Sequence, residues 1–330
     1  MHPAKQGCIF VLLFALPLAM PLLPSASASS PSPDPGPGGA QPEASGGRQL
    51  ARLVRLPNLL IMGLCMVLVR ACLLLPNSPW RQVLAPGFGL LVLAALSVGA
   101  AGYIINDYYD VKIDAINRPG RLVVGKAVNR RHAMLAHLIL SGLGVGLSGW
   151  LSPWLGLVNL GSALLLWGYS VRFKRVALVG NLSIATLTAA LVLLPELQLR
   201  TGHEAVWSYA LAAFLLTVVR EIVKDVEDMR GDAQHDCRTL PIVWGVPRTK
   251  WIAGFFLLCL ALLVMGACSR ALLTRQWELG LWLLLLVLVP LLLVAYHLRR
   301  ADRKKHFARL SSWCKWVMLA GVLSMLWMAG

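Results

Sequence analysis

The sequence predicts an all-α, polytopic membrane protein of about nine transmembrane helices, and three observations carry that prediction. Of its 330 residues, 57% are hydrophobic and only 14% charged, which is too apolar for a soluble domain of this length. Apolar runs long enough to cross a hydrocarbon core of about 30 Å recur along most of the chain. The basic residues fall mostly between those runs, and they fall unevenly.

The nine spans are read at Leu56–Leu75, Ala85–Ile105, Ala133–Leu151, Pro153–Ser170, Leu178–Leu197, Val206–Val219, Trp251–Leu272, Leu279–His297 and Trp313–Met328. Lys and Arg number 24 in the segment before the first span and in the even-to-odd connections. The other side holds four: Arg81, Arg200, Arg270 and Arg275. That imbalance predicts a multi-pass protein of the cell inner (plasma) membrane, with the even-to-odd connections in the cytoplasm. It also explains the net charge of +16, which in a soluble chain would suggest nucleic acid. Here it reports topology, and no nucleic-acid partner is expected.

Residues 1–48 differ from the rest. Cys8 to Pro24 is apolar, and Ser25 to Gly47 is a run of Ser, Pro, Gly and Ala that cannot build a core. A signal peptide, an extra anchor, a disordered extension and a misassigned start are all compatible with this stretch. A cleaved signal peptide would leave Arg48, Arg52 and Arg55 outside, against the charge rule. The expected division is therefore an N-terminal extension, 1–48, and a transmembrane domain, 49–330. The seven cysteines show neither zinc-site spacing nor a disulfide framework.

The acids carry the chemistry. Nine of the fifteen Asp and Glu residues lie in two windows: Asp107, Asp110 and Asp114, then Glu221, Asp225, Glu227, Asp228, Asp232 and Asp236. Each window sits at the cytoplasmic end of a span, the second and the sixth, and each contains Asp-x-x-Asp-x-x-x-Asp. Carboxylates at a membrane edge are costly and mark a functional site by default. Steps of three and four return to one helical face, so Asp225, Asp228 and Asp232 project together. Asn106, Asp110 and Asp114 form a comparable stripe with Asp107 at its edge. Like charges on one face repel unless a cation sits among them. Oxygen donors without histidine or thiolate suit Mg²⁺, shared between carboxylates and phosphate oxygens. Arg118, Arg121, Lys174, Lys224 and Arg238 stand close by in sequence and suit phosphate. A solvated loop with surface ion pairs would account for one such window, but not for two of identical spacing at equivalent places.

These residues resemble the UbiA superfamily of intramembrane prenyltransferases. The likeness rests on Asn106-Asp-Tyr-Tyr-Asp110-Val-Lys-Ile-Asp114-Ala-Ile-Asn-Arg118-Pro-Gly-Arg121, on Tyr169-Ser-Val-Arg-Phe-Lys174, and on Arg220-Glu-Ile-Val-Lys224-Asp225-Val-Glu-Asp228-Met-Arg-Gly-Asp232. Within the superfamily the wording is nearest to digeranylgeranylglyceryl phosphate synthases. Gln234-His-Asp-Cys237 departs from it, since a glycine is expected before Thr239-Leu-Pro.

The resemblance implies helices around a central cavity and Mg²⁺-dependent transfer from a polyprenyl diphosphate to a lipid-soluble or anionic acceptor among membrane lipids. It carries metal binding onto Asn106, Asp110, Asp114, Asp225, Asp228 and Asp232, with Asp107 beside them. Lys174 and Arg118 match diphosphate-touching positions, and Tyr169 one near the reacting carbon. The expected catalytic set is Asp110, Asp228, Lys174 and Tyr169, with Tyr103 and Tyr108 as further aromatic walls for an allylic cation. Two acceptor classes stay open: a glycerol phosphate lipid, and an aromatic acid of quinone synthesis. A transporter would place acids within the spans and alternate access between repeats. These spans are nearly free of charge apart from Arg70.

Overall fold

The structure, a computed structural model, describes residues 46–117 and 123–328. The N-terminal stretch 1–45 lies outside the described residues, as do Arg118 and Arg121. Nine helices among the described residues are long and apolar enough to cross a membrane. We label them α1 (Leu56–Leu74), α2 (Pro86–Asn117), α3 (Arg130–Leu151), α4 (Pro153–Val171), α5 (Val179–Leu199), α6 (Glu204–Ala233), α7 (Leu240–Leu273), α8 (Trp277–Arg300) and α9 (Lys304–Trp327). A short helix, Gly46–Leu53, precedes α1 and tucks Leu53 against α2 while Leu50 stays exposed.

Both motifs are helical throughout. The apolar runs end near Ile105 and Val219, but α2 and α6 continue for about three to four further turns and carry their carboxylates with them. Hydropathy ends where charge begins. Backbone hydrogen bonding does not, and neither extension contains a proline before the last carboxylate.

The helices bearing the motifs lie at the centre. In their apolar windows 61% of α2 and 56% of α6 is buried, against 17% for α3 and 22% for α4, which therefore form the lipid-facing wall. On α6, Val219, Ile222, Val223 and Val226 pack into one cluster with Leu257 of α7, Leu291 of α8 and Phe307 and Leu310 of α9. Lipid tails are as apolar as these side chains, so close packing, rather than transfer from water, holds this face.

The end of the bundle remote from the motifs is marked by exposed Trp150, Trp154, Trp207 and Trp277, as an aromatic belt at a membrane interface would be. Arg70 lies toward that end, in the π-helical turn Val69–Leu74. Its guanidinium donates to Gln198 Oε1 (2.8 Å) and covers the Phe88 ring (4.6 Å). The one charge within the α1 span thus fastens α1 to α5. Near its start α7 bends at Gly245, whose φ of +77° suits a residue without Cβ, and Pro247 follows.

Candidate functional site

Three segments meet at the motif end: the last turns of α2, the middle-to-late turns of α6, and the connection Arg172–Leu178 between α4 and α5. That connection contains a 3₁₀ turn, Phe173–Arg175. A Cβ on Gly180 would lie 2.9 Å from Lys174 Cα and 3.0 Å from the Phe173 carbonyl oxygen, so glycine lets the loop rest against α5. The Arg238 amide donates to the Arg175 carbonyl (2.9 Å), tying the same loop to the segment after α6.

Lys174 is held from both sides, and its ammonium pairs with Asp110 of α2. Asp110 is buried. Across the gap Asp232 of α6 lies within electrostatic range of Asp110, Asp228, Lys224 and Lys174. Tyr169, on the last turn of α4, is within range of Asp110, Glu221, Asp225 and Arg55. Asp110 and Asp232, 122 residues apart in sequence and read as parts of two separate patterns, thus lie around one place. Lys224 is partly buried and close in charge to Asp107, Asp225 and Asp232.

Asp107 behaves differently from its neighbours. Its Oδ1 accepts from Arg55 Nη2 at 2.8 Å, and the same guanidinium lies over the Tyr103 ring (4.9 Å). Asn58 of α1 donates to the Tyr103 hydroxyl (3.3 Å). Burial disfavours the Arg55 charge, but Asp107, Tyr103 and Asp114 together outweigh it and raise the guanidinium pKa. On α6, Asp225 Oδ2 accepts from Asn181 Nδ2 at 2.8 Å, and Asn181 is buried on the first turn of α5.

Neither Arg55 nor Asn181 was assigned to the site from sequence. Arg55 reads as one more positive residue before a span. Asn181 is a lone amide near the start of an apolar run, and only the premium on polar groups inside membranes could have flagged it. Two expected aromatic walls are already engaged: Tyr103 by Arg55, and Tyr108 by Arg130, whose guanidinium lies 4.4 Å from the ring centroid. The Arg238 side chain is exposed beside the loop. Cys237, of the divergent Gln234-His-Asp-Cys237 segment, is buried beneath that loop. Burial first, then the nearby Asp232 carboxylate, pushes its thiol up.

Among the described residues no three carboxylate, imidazole or thiol groups converge closely enough to hold a metal between them. What exists is oxygen donors on two facing helices with ammonium groups between. Such a set fits Mg²⁺, which binds through one or two carboxylates and takes its remaining ligands from water and phosphate. It does not fit zinc.

Among the described residues, nine helices long and apolar enough to cross a membrane, with paired carboxylate motifs at one end, define a class, and the sequence comparison agrees. The UbiA prenyltransferase family matches residues 64–319, and the chain belongs to that family. More particularly, it is similar to digeranylgeranylglyceryl phosphate synthases. That of Methanospirillum hungatei JF-1 is 35% identical over 160 residues, covering 48% of this chain and 57% of the relative. That of Methanothermobacter thermautotrophicus is 35% identical over 212 residues, covering 64% and 72%. Several of these matches span somewhat under two thirds of the relative's length.

Among solved structures, a digeranylgeranylglyceryl phosphate synthase in membranes superposes with a TM-score of 0.65 at 24% identity, over 86% of this chain and 98% of that one. A UbiA homolog from Archaeoglobus fulgidus bound to GPP and Mg²⁺ gives 0.57 at 17% identity, over 84% and 99%. These two likenesses establish the fold.

Proposed function

We propose that the chain transfers a polyprenyl group of the geranylgeranyl type from its diphosphate to a membrane-associated acceptor, with geranylgeranylglyceryl phosphate as the favoured acceptor. One observation carries the reading: Lys174 pairs with Asp110 of the first motif while lying within range of Asp232 of the second. The names of the relatives support the donor and acceptor classes. The fold it shares with a homolog bound to GPP and Mg²⁺ supports the metal.

The chemistry follows from where charge develops. As the allylic C–O bond breaks, its electron pair leaves with pyrophosphate, and negative charge grows on the phosphate oxygens. Lys174 and Lys224 would receive it, and Arg118, Arg121 and Arg238 are further cations near the motifs in sequence. Fixed cations aimed at developing charge are the largest catalytic contribution expected. Mg²⁺, bound by Asn106, Asp110 and Asp114 and by Asp225, Asp228 and Asp232, would supply further neutralisation of the departing group.

Tyr169 would face the carbon left behind, and its ring would shield the allylic cation from water until the acceptor hydroxyl supplies an electron pair and its proton passes to the released pyrophosphate. The apolar tail would run between helices toward lipid. The 24-to-four distribution of Lys and Arg supports an active site on the cytoplasmic face of the plasma membrane.

The test uses membranes containing the protein, labelled geranylgeranyl diphosphate and Mg²⁺. Parallel arms receive geranylgeranylglyceryl phosphate, an aromatic acid, or no acceptor. The expected result is label transfer to the glycerophosphate lipid, abolished by chelation of the metal. Transfer to the aromatic acid alone would replace the acceptor class. If no arm consumes the donor, the enzymatic reading fails and a transporter becomes the better account.

A further inference from the structure

Resting on the metal reading above, we infer that Asn181 is a positioning residue for the second motif, and that the Gly180–Asn181 step on α5 sets the geometry of both motifs at once. Gly180 admits the Phe173–Lys174 backbone at a separation that a Cβ would close to 2.9 Å, and so fixes where the Lys174 chain starts toward Asp110. The adjacent residue turns to α6, where Asn181 Nδ2 donates to Asp225 Oδ2 at 2.8 Å. Asn181 is 5% exposed, so its amide is shielded from water. An amide donor can meet this carboxylate without adding the charge that would repel a cation. It restricts the rotation of the carboxylate about its Cβ–Cγ bond.

Two consecutive residues of a rigid helix therefore hold a cation for α2 and a carboxylate for α6. Neither touches the reacting atoms. A hydrogen-bond partner that orients a metal-ligating carboxylate typically contributes 10–100-fold to metal affinity. A purely structural amide would instead contribute to thermal stability and leave affinity in the folded protein unchanged.

The experiment measures Mn²⁺ binding to purified, detergent-solubilised protein by electron paramagnetic resonance, without prenyl substrate. It compares wild type with Asn181→Leu, which keeps the volume and removes the donor, and with Asn181→Gln, which keeps a donor on a longer arm. Thermal unfolding without metal is followed in parallel. The expected result is Mn²⁺ affinity at least tenfold weaker in Asn181→Leu and partly restored in Asn181→Gln. In an Asp225→Ala background, Asn181→Leu should add less than threefold.

Equal affinity in wild type and folded Asn181→Leu overturns the inference and leaves the proposed function intact. Should Asn181→Leu not fold, the same decision falls to Asn181→Gln. Affinity and unfolding both at the wild-type level there, although the longer arm cannot reproduce the 2.8 Å contact, would count against positioning. Wild-type protein that binds no Mn²⁺ removes the metal reading itself, and the inference with it.

Discussion

The two motifs share one spacing and meet different partners. On α2, Asp107 and Asp110 are each met by a cation from another segment, Arg55 and Lys174. On α6, Asp225 is met by the neutral amide of Asn181. Asp107 and Asp110 thus have direct partners unlike that of Asp225, because different neighbours pack on the two helices. The end of α2 faces the start of α1 and the α4–α5 connection, both on the basic side of the charge count. Asp225, six residues past the apolar run of α6, faces the first turn of α5, which presents an amide there. A repeated motif therefore does not imply repeated roles. On the proposed reading Lys174 would exchange a carboxylate for phosphate, whereas Asn181 has no charge to give up.

Substitutions can break this comparison in graded ways. The largest effect is expected from the carboxylates: Asp110→Ala or Asp228→Ala should each lower prenyl transfer by about 10²–10³-fold, the usual scale for losing one preorganised electrostatic element. Next comes Lys174→Met, with a loss of about 10²-fold and a raised KM for the diphosphate rather than for the acceptor, measurable by varying each substrate in turn. Gly180→Val should produce a smaller loss, about tenfold. The Lys174 backbone must retreat from the added Cβ while the chemistry of the site is kept. Arg55→Ala leaves Asp107 without its charge-assisted bond. Because the arginine side chain is 36% exposed, water would compensate in part, and a stability loss of only about 1 kcal/mol is expected in thermal unfolding.

The smallest effect concerns Cys237. Its pKa is raised, so the thiolate becomes the main form only above the ordinary thiol range. Maleimide labelling at this residue should be slow at neutral pH and still accelerating where an exposed thiol has levelled off. A labelling rate that levels at ordinary thiol pH would contradict the burial of this loop.

How much of this could be read from the chain differs between fold and site. The alternation of basic connections fixed the number and order of spans, because each crossing reverses the side and a missed span would scramble the count. Span lengths were less accessible. α2 and α6 run on through their acidic turns, where hydropathy loses the signal although the hydrogen-bond ladder continues. In the site, Asp110, Asp225, Asp228, Asp232 and Lys174 stand out because their types are rare here and their spacing is periodic. Arg55 and Asn181 have no period to betray them. Their contacts with Asp107 and Asp225 span 52 and 44 residues and exist only once helices have packed. Tyr103 and Tyr108 show the converse: aromatic type suggested a wall for a cation, and each ring is covered by an arginine of this chain.

The central claim is that both motifs act on one diphosphate. The most direct measurement is pyrophosphate release from geranylgeranyl diphosphate, with acceptor present, by wild type, Asp110→Ala, Asp228→Ala and the double variant. Groups acting as one unit are non-additive, so the double variant should release pyrophosphate about as slowly as the slower single variant. Fully multiplicative losses would mean that the two motifs work independently, which would contradict the account.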